Sequence, residues 1–161
     1  LVCLNRSLTG EVNGATVVNL QGDNASRQLA HDSRRSQGWF YLESQGAGNI
    51  HKVVLLDSPL EALAYVTLHP SEERILYLAV NDGGWVPEEL KDVGEMVVAT
   101  KTELSNLPNP IERHLPKHGS WGEDLRDYLA QVQAELVRIQ PQERTASEQV
   151  VEKPRGLELG R

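Results

Sequence analysis

The middle of the chain alternates short apolar runs with segments of helical pattern. Residues 53–56, 75–80 and 96–99 are continuous apolar runs, which are typical of strands buried on both faces of a parallel sheet. Residues 58–68 begin with an N-cap serine, a proline and a capping-box glutamate, so we predict a helix there. A second, short helix is predicted over residues 86–93. This alternating order predicts an α/β fold with a parallel sheet.

The first part of the chain has the pattern of short strands. Residues 1–4 and 15–20 are apolar or β-branched and are predicted to be strands, whereas the polar residues 21–37 are predicted to be a loop. Residues 38–42 contain three of the eight aromatic residues. We predict a strand whose aromatic side chains anchor the core of a small lobe, in preference to a base-stacking platform. Residues 44–49 are predicted to be a flexible connection.

The pattern changes after the third apolar run. Residues 101–110 contain two prolines and cannot form the crossover helix that a further parallel strand would require. Residues 111–115 are predicted to be a short strand. Residues 121–139 predict a helix with an N-terminal capping box and one apolar stripe, formed by Leu125, Tyr128, Leu129, Val132, Leu136 and Ile139. The polar sequence from residue 141 onward predicts a disordered tail.

These elements predict three regions. Residues 1–52 are expected to form a small β-rich N-terminal lobe, and residues 53–130 a truncated parallel-sheet, Rossmann-like domain. Residues 131–161 are expected to contain the end of the C-terminal helix and the tail. The predicted fold class is therefore α/β.

The 161 residues carry a formal charge of −7, and the acidic excess lies in residues 53–130. Solvated helix surfaces explain it most simply, the alternative being carboxylates gathered for metal ions. The charge argues against a basic nucleic-acid-binding protein. The single cysteine, Cys3, is expected to be a small core residue, and it fits a reducing compartment, which predicts a cytoplasmic location. No apolar run approaches the roughly 20 residues that span a bilayer, so no membrane partner is expected.

Three acidic residues follow the predicted strands or lie shortly after them. Asp57 follows the first apolar run, Asp82 the second and Glu103 the third. Ligands of open parallel sheets bind at the carboxyl ends of the strands, and Mg²⁺ prefers oxygen ligands. These residues are therefore the candidate metal ligands, although acidic residues in such positions also form turns and cap helices.

Residues 53–63 resemble the first motif of Toprim domains, which occur in primases, topoisomerases and related proteins of plasmids and mobile elements. Residues 1–42 resemble the small domain of unknown function that precedes Toprim in primase- or relaxase-associated plasmid proteins, with Arg34-Arg35 as part of its hallmark. Residues 119–125 resemble the closing signature of that sub-family. The resemblance implies a Toprim-like domain at residues 53–130, Mg²⁺ as the cofactor, and nucleic acid as the substrate.

The sequence departs from the family pattern where the chemistry is expected. The catalytic glutamate of the family is replaced by Asp57, which is one methylene shorter. The Asp-x-Asp of the family is replaced by Lys101, Thr102 and Glu103, and Lys101 puts a positive charge where Mg²⁺ would lie. The helix that follows in the family is absent. Because these changes affect the same chemistry, we expect no catalysis.

The basic residues Arg34 and Arg35, with Arg27 and Lys52, form the candidate nucleic-acid-binding group. Asp32 is adjacent, and four charges supply little affinity at physiological salt. A solvated loop is therefore the simpler interpretation of this group.

Two histidines, His114 and His118, have the spacing of metal ligands on a helix. Pro116 lies between them and prevents that helix. They are therefore predicted to be solvated loop histidines.

Three functional hypotheses follow. The first is a degenerate, non-catalytic Toprim-like module that binds DNA or a protein partner in plasmid or mobile-element replication or mobilisation. The second is an active Mg²⁺-dependent nucleotidyl-transfer or DNA-nicking enzyme that uses Asp57, Asp82 and Glu103. The third is a truncated remnant without selected function, suggested by the start at Leu1 and the absent helix.

Overall fold

The computed structural model of the chain describes residues 1–20, 26–34, 37–80, 84–105, 107 and 111–148, with side chains to residue 139. The chain divides into two compact units, Leu1–Leu125 and Arg126–Arg161. Both sheets and the candidate site belong to the first unit, while the described residues of the second unit are helical. Among the described residues, no helix has the length and apolar character needed to cross a membrane.

In the described part of the chain the fold is mixed α/β, as predicted, with two sheets and a C-terminal helix. In chain order the elements are β1 (Val2–Arg6), β2 (Val12–Asn19), β3 (Ser26–Leu29), β4 (Phe40–Glu43), β5 (Ala47–Leu56), α1 (Pro59–Leu68), β6 (Glu73–Ala79), a 3₁₀ turn (Glu88–Leu90), β7 (Glu95–Val98), β8 (Glu112–Arg113) and α2 (Trp121–Glu148). The first three strands form one antiparallel sheet in the order β1-β2-β3. The others form a sheet in the order β4-β6-β5-β7-β8.

The centre of the five-stranded sheet confirms the apolar runs as buried parallel strands. β5 pairs in parallel with β6 on one side and with β7 on the other. Val53 and Leu55 pack into the core on one face of the sheet, and Val54 and Leu56 into the core on the other face, each no more than 1% exposed. Because successive side chains alternate across a strand, a strand covered on both faces must be apolar at every position.

Helix α1 begins and packs as its sequence predicts. Ser58 adopts an extended backbone, and its hydroxyl accepts a hydrogen bond from the backbone N–H of Glu61 at 3.3 Å, while Pro59 occupies the first turn. Ala62, Ala64 and Tyr65 are buried against the sheet. The start of this helix is thereby fixed directly after the carboxyl end of β5.

The aromatic strand belongs to the larger sheet, and its assignment to the core of the small lobe was wrong. β4 is the antiparallel neighbour of β6. Trp39 and Tyr41 pack into the core on one face of this sheet, whereas Phe40 packs on the other face. The guanidinium of Arg6, on β1, lies over the Tyr41 ring, 4.4 Å from its centroid. The aromatic residues therefore hold the small sheet against the large one.

Four local predictions were wrong. The predicted loop over residues 21–37 contains β3, whose side chains are mainly exposed, so its polar sequence hid the strand. The predicted flexible connection includes the start of β5 at Ala47, which pairs with Glu73. The predicted helix over residues 86–93 is only a 3₁₀ turn. At the C-terminal end, α2 continues to Glu148, beyond the predicted start of the tail.

A further parallel strand is present without a crossover helix in the described residues. β8 pairs in parallel with β7, with Val98 opposite Arg113. The strand predicted at residues 111–115 is therefore confirmed in part. The segment between β7 and β8 carries Thr100 and Lys101, which the next section places in the candidate site. The division of the first unit into separate domains stays a prediction.

Candidate functional site

A cleft of about 280 Å³ lies at the carboxyl ends of β5 and β7, beside the first turns of α1 and α2. This is where the parallel-sheet rule places a ligand. The residues that line the cleft combine two cations, two carboxylates and several hydroxyls: Arg27, Asp57, Ser58, Glu61, Ala99, Thr100, Lys101, Pro116, Gly119, Ser120 and Trp121. Of the two predicted metal ligands within the described residues, Asp57 lines the cleft and Glu103 does not.

The carboxylate of Asp57 is held by two hydroxyl donors from the segment after β7. Its Oδ1 accepts a short hydrogen bond from Oγ1 of Thr100 and another at 2.5 Å from Oγ1 of Thr102. The backbone N–H of Thr102 in turn donates to Oγ1 of Thr100 at 2.9 Å. Thr100 is only 1% exposed, so this network is anchored inside the protein. One carboxylate oxygen of Asp57, a predicted metal ligand, thus already accepts two hydrogen bonds from within the protein.

Replacing Thr100 with valine tests the contribution of this network. The change preserves shape but removes one donor to the carboxylate and the acceptor of the Thr102 N–H. We expect the free energy of unfolding to fall by about 2 kcal/mol, because a charged acceptor loses a buried donor. Urea denaturation measures the change. Thr102→Val, at an exposed position, is the matched control and should cost less than about 1 kcal/mol. Equal losses for the two variants would contradict the account.

Glu61 links the two helices across the cleft. Its carboxylate oxygens accept hydrogen bonds from the backbone N–H groups of Trp121 at 2.7 Å and Gly122 at 3.3 Å. These N–H groups lie in the first turn of α2, where no helical partner exists and where a negative charge is favourable. The sequence assigned Glu61 only to the capping box of α1. In the structure this carboxylate binds the N-terminus of α2, so two N–H groups at that end of the helix have hydrogen-bond partners within the chain.

The ammonium group of Lys101 is one of the two positive charges of the cleft. Its Nζ donates to the backbone carbonyls of His118 at 3.2 Å and Gly119 at 3.3 Å. The same loop is fixed by Asp124, whose carboxylate accepts from the backbone N–H groups of Lys117 at 2.8 Å and His118 at 2.9 Å. Slight burial acts in the opposite direction, but these hydrogen bonds lower the pKa of Asp124. Lys101 is therefore held at the cleft by a loop that is itself ordered.

Arg27 is a residue of the small sheet that lines the cleft. It lies on β3, and its Nη1 donates to the backbone carbonyl of Asp57 at 2.8 Å. Beside it, a cavity of about 50 Å³ separates the small sheet from the carboxyl ends of β5 and β6. The buried Asn5 and Thr16 line this cavity and hydrogen-bond to each other at 3.2 Å. Sequence reasoning placed Arg27 in a basic group and not at the end of β5.

The remaining members of that basic group are not brought together with Arg27. Lys52 lies on β5 with Nζ 3.5 Å from the carboxylate of Glu95, five residues before Asp57 and thus about 16 Å along the strand. Arg34 is exposed, and its guanidinium donates to the side chain of Gln37 at 3.3 Å. Arg35 lies outside the described residues. The described members of this predicted basic group therefore do not form one patch.

The described residues do not fit the Mg²⁺ site that the resemblance implies. Glu103 is exposed and does not line the cleft, and Asp82 lies outside the described residues. Mg²⁺ requires several oxygen ligands at about 2.1 Å, but Oδ1 of Asp57 already accepts two hydrogen bonds from hydroxyl groups, and the ammonium of Lys101 shares the cleft. In the part of the chain that the structure describes, no three His, Cys, Asp or Glu side chains are grouped to hold a metal ion.

An aromatic cluster stands behind the cleft, formed by Tyr65, His69, His114 and Trp121. All pairs of ring centroids among them are 4.5–5.5 Å apart. The hydroxyl of Tyr65 is 2.9 Å from Nδ1 of His114. Burial raises the pKa of Tyr65 to about 12, with smaller effects of Tyr77 and Glu112, so this phenol keeps its proton. The prediction that His114 is a solvated loop residue was wrong; His118 is exposed and pairs with Asp124.

The stability of this cluster is expected to depend on pH through His69. Its Nδ1 is buried without a hydrogen-bond partner among the described residues. Burial, and secondly the charge of His114, lowers the pKa of His69 in the folded chain. As the pH falls through about 6.5, the unfolded chain therefore takes up this proton before the folded chain does, and the free energy of unfolding decreases.

The variant His69→Gln removes this proton and should flatten that part of the pH dependence. Urea unfolding of both proteins at pH 7.5, 6.5 and 5.5 is the measurement. We expect the stability of the wild-type chain to decline relative to that of the variant as the pH is lowered. The other titratable groups at this cluster are present in both proteins: Tyr65, Tyr77, His114 and Glu112. The difference between the two pH profiles therefore reports on His69. Parallel pH profiles for the two proteins would exclude His69 as the source.

No family model, curated protein or solved structure matches this chain. Cys3, predicted to be a core residue, is 3% exposed, and burial raises the pKa of its thiol, which makes it a structural side chain and not a nucleophile.

Proposed function

We propose that this chain is a non-catalytic binding module with a Toprim-like α/β fold, acting in plasmid or mobile-element replication or mobilisation. The observation that carries the proposal is the hydrogen bonding of the Asp57 carboxylate. Its Oδ1 accepts hydrogen bonds from the hydroxyls of Thr100 and Thr102, and the ammonium of Lys101 lies at the same cleft. A carboxylate that is hydrogen-bonded in this way supports structure and is poorly placed to gather divalent cations.

The second carboxylate of the cleft supports the same proposal. Metal-dependent phosphoryl transfer needs several carboxylates that converge on the metal and leave room for substrate oxygens. Glu61 instead binds the backbone of Trp121 and Gly122 and joins α1 to α2. Each acidic side chain at the cleft thus has an internal partner, which is the arrangement of a scaffold.

The charge distribution favours a protein partner over DNA. The chain carries a net charge of −7, and DNA affinity at physiological salt depends on several cations that neutralise phosphates together. Lys52 pairs with Glu95, Arg27 binds the carbonyl of Asp57, and Arg34 binds Gln37. We therefore propose that the module acts by binding protein.

Fluorescence anisotropy with labelled single- and double-stranded oligonucleotides tests this choice. At about 150 mM salt we expect no saturable binding tighter than about 100 µM, the weak limit of non-specific DNA binding. The informative variant is Arg34→Ala, and its matched control is Arg113→Ala, which removes another exposed arginine on β8. Tighter, salt-dependent binding that is lost in Arg34→Ala and kept in Arg113→Ala would overturn the choice of a protein partner and support DNA.

A further inference from the structure

Helix α2 carries an apolar stripe that continues beyond its buried first turn. Trp121 is 3% exposed, whereas Leu129, Val132, Leu136 and Ile139 are between 38% and 56% exposed. Four large aliphatic side chains in a row on one helix face are more than the scattered apolar residues of an ordinary surface. This stripe therefore needs an explanation of its own.

The spacing of the stripe is that of a coiled-coil seam. The four residues follow one another at intervals of three, four and three positions, and Leu125 precedes them by four. Alternation of three and four gives the 3.5-residue period with which one helix packs its a and d side chains against another helix. The partner that fits this surface is accordingly a second apolar helix.

The charges around the stripe allow a second copy of this chain as that partner. Between residues 126 and 139 the charged residues are Arg126, Asp127, Glu135 and Arg138, whose charges sum to zero. Arg138 and Glu135 also pair within the helix, with 3.6 Å between Nη1 and Oε2. Two copies of a chain with a net charge of −7 repel each other over most of their surfaces, but this segment adds no repulsion.

The area of the stripe is sufficient for weak self-association. The four aliphatic side chains of the stripe are about half exposed, and so is Tyr128, which precedes Leu129. Together they offer on the order of 500 Å² of apolar surface on each copy. Pairing two copies would bury on the order of 1,000 Å², which is the lower limit for a specific interface.

We propose that the chain self-associates through the stripe of α2 formed by Leu129, Val132, Leu136 and Ile139. This inference rests on the proposed function, since it names the protein that the binding module holds. The interface is apolar, so the association persists at high salt. It involves neither the carboxylates nor the cations of the cleft.

Sedimentation velocity of the full chain, from about 5 to about 500 µM, tests the proposal. We expect a concentration-dependent shift from monomer to a larger species. The variant Leu129→Glu with Leu136→Glu should weaken the association at least about 30-fold, because each interface would bury unpaired carboxylates. The control Ala130→Glu with Ala134→Glu adds the same charge at exposed positions on the opposite face of the helix and should leave the association within about threefold of wild type.

A chain that stays monomeric throughout this range overturns the inference, and so does equal weakening by the two double variants. Far-UV circular dichroism of each variant shows whether the helix is retained. DNA binding or saturable Mg²⁺ binding at Asp57 would overturn the proposed function instead. The two failures are thus read from different experiments.

Discussion

The free energy of unfolding of the Trp121→Ala variant is expected to be about 4 kcal/mol lower than that of the wild-type chain. Trp121 is 3% exposed and packs against Tyr65, His69 and His114. Its indole N–H donates to the backbone carbonyl of Ala99 at 2.7 Å. Truncation would leave a cavity in the aromatic cluster and a buried carbonyl without its donor, and both effects destabilise the folded chain.

Two further variants separate these effects. Trp121→Phe keeps an aromatic ring but loses the N–H, and should cost about 1–3 kcal/mol. Trp85→Ala is the matched control, because Trp85 is 41% exposed and contacts Trp39 by ring stacking at 5.7 Å; its cost should be about 1 kcal/mol. Urea denaturation of all three variants gives the comparison. A loss for Trp121→Ala no larger than that for Trp85→Ala would show that the cluster does not hold the first turn of α2 to the sheet.

The Gly46→Ala variant is expected to lose about 3 kcal/mol of unfolding free energy. A Cβ at Gly46 would overlap the backbone nitrogen of Arg74 and the backbone carbonyl carbon of Glu73. Backbone atoms cannot rotate away as the end of a side chain can. The turn between β4 and β5 would therefore separate from the start of β6. This would weaken the large sheet, because β6 pairs with both β4 and β5.

Gly94→Ala is the control for this prediction. A Cβ at Gly94 would meet only the carbonyl oxygen of His51, at an ordinary contact distance of 3.5 Å. The variant should change stability by less than about 1 kcal/mol. Thermal and urea unfolding of the two variants measure the difference. A Gly46→Ala protein as stable as Gly94→Ala would mean that the turn does not approach β6 as closely as described.

The parts of the fold that the sequence predicts correctly are those in which burial determines residue type. β5 is apolar at four successive positions because both of its faces are covered, and α1 follows from the cap at Ser58. β3 has no such signal. Its side chains are mainly exposed, and its backbone pairing with β2, which any sequence can make, creates the strand.

The candidate site was predictable in position but not in its contacts. The parallel-sheet rule placed Asp57 at the cleft, and Lys101 occupies a position where the Toprim resemblance implies a carboxylate. That the hydroxyl of Thr102 would reach Asp57 depends on the path of the chain after β7. The bond from Trp121 to Glu61 joins residues sixty positions apart, and no local pattern records it. A pair of threonines shortly after an interior strand, Thr100 and Thr102 after β7, is the one signal that could have suggested the network.

We expect the cleft, whose carboxylates already have internal partners, to take no divalent cation. Titration of the ¹⁵N-labelled chain with Mg²⁺ tests it most directly, with the amide signals of Thr100, Lys101 and Thr102 as reporters beside Asp57. Asp57→Ala is the comparison variant. Up to about 10 mM Mg²⁺ we expect only small, non-saturating changes that are the same in both proteins. Saturable shifts of these amides that disappear in Asp57→Ala would contradict the account and support the Mg²⁺-dependent enzyme.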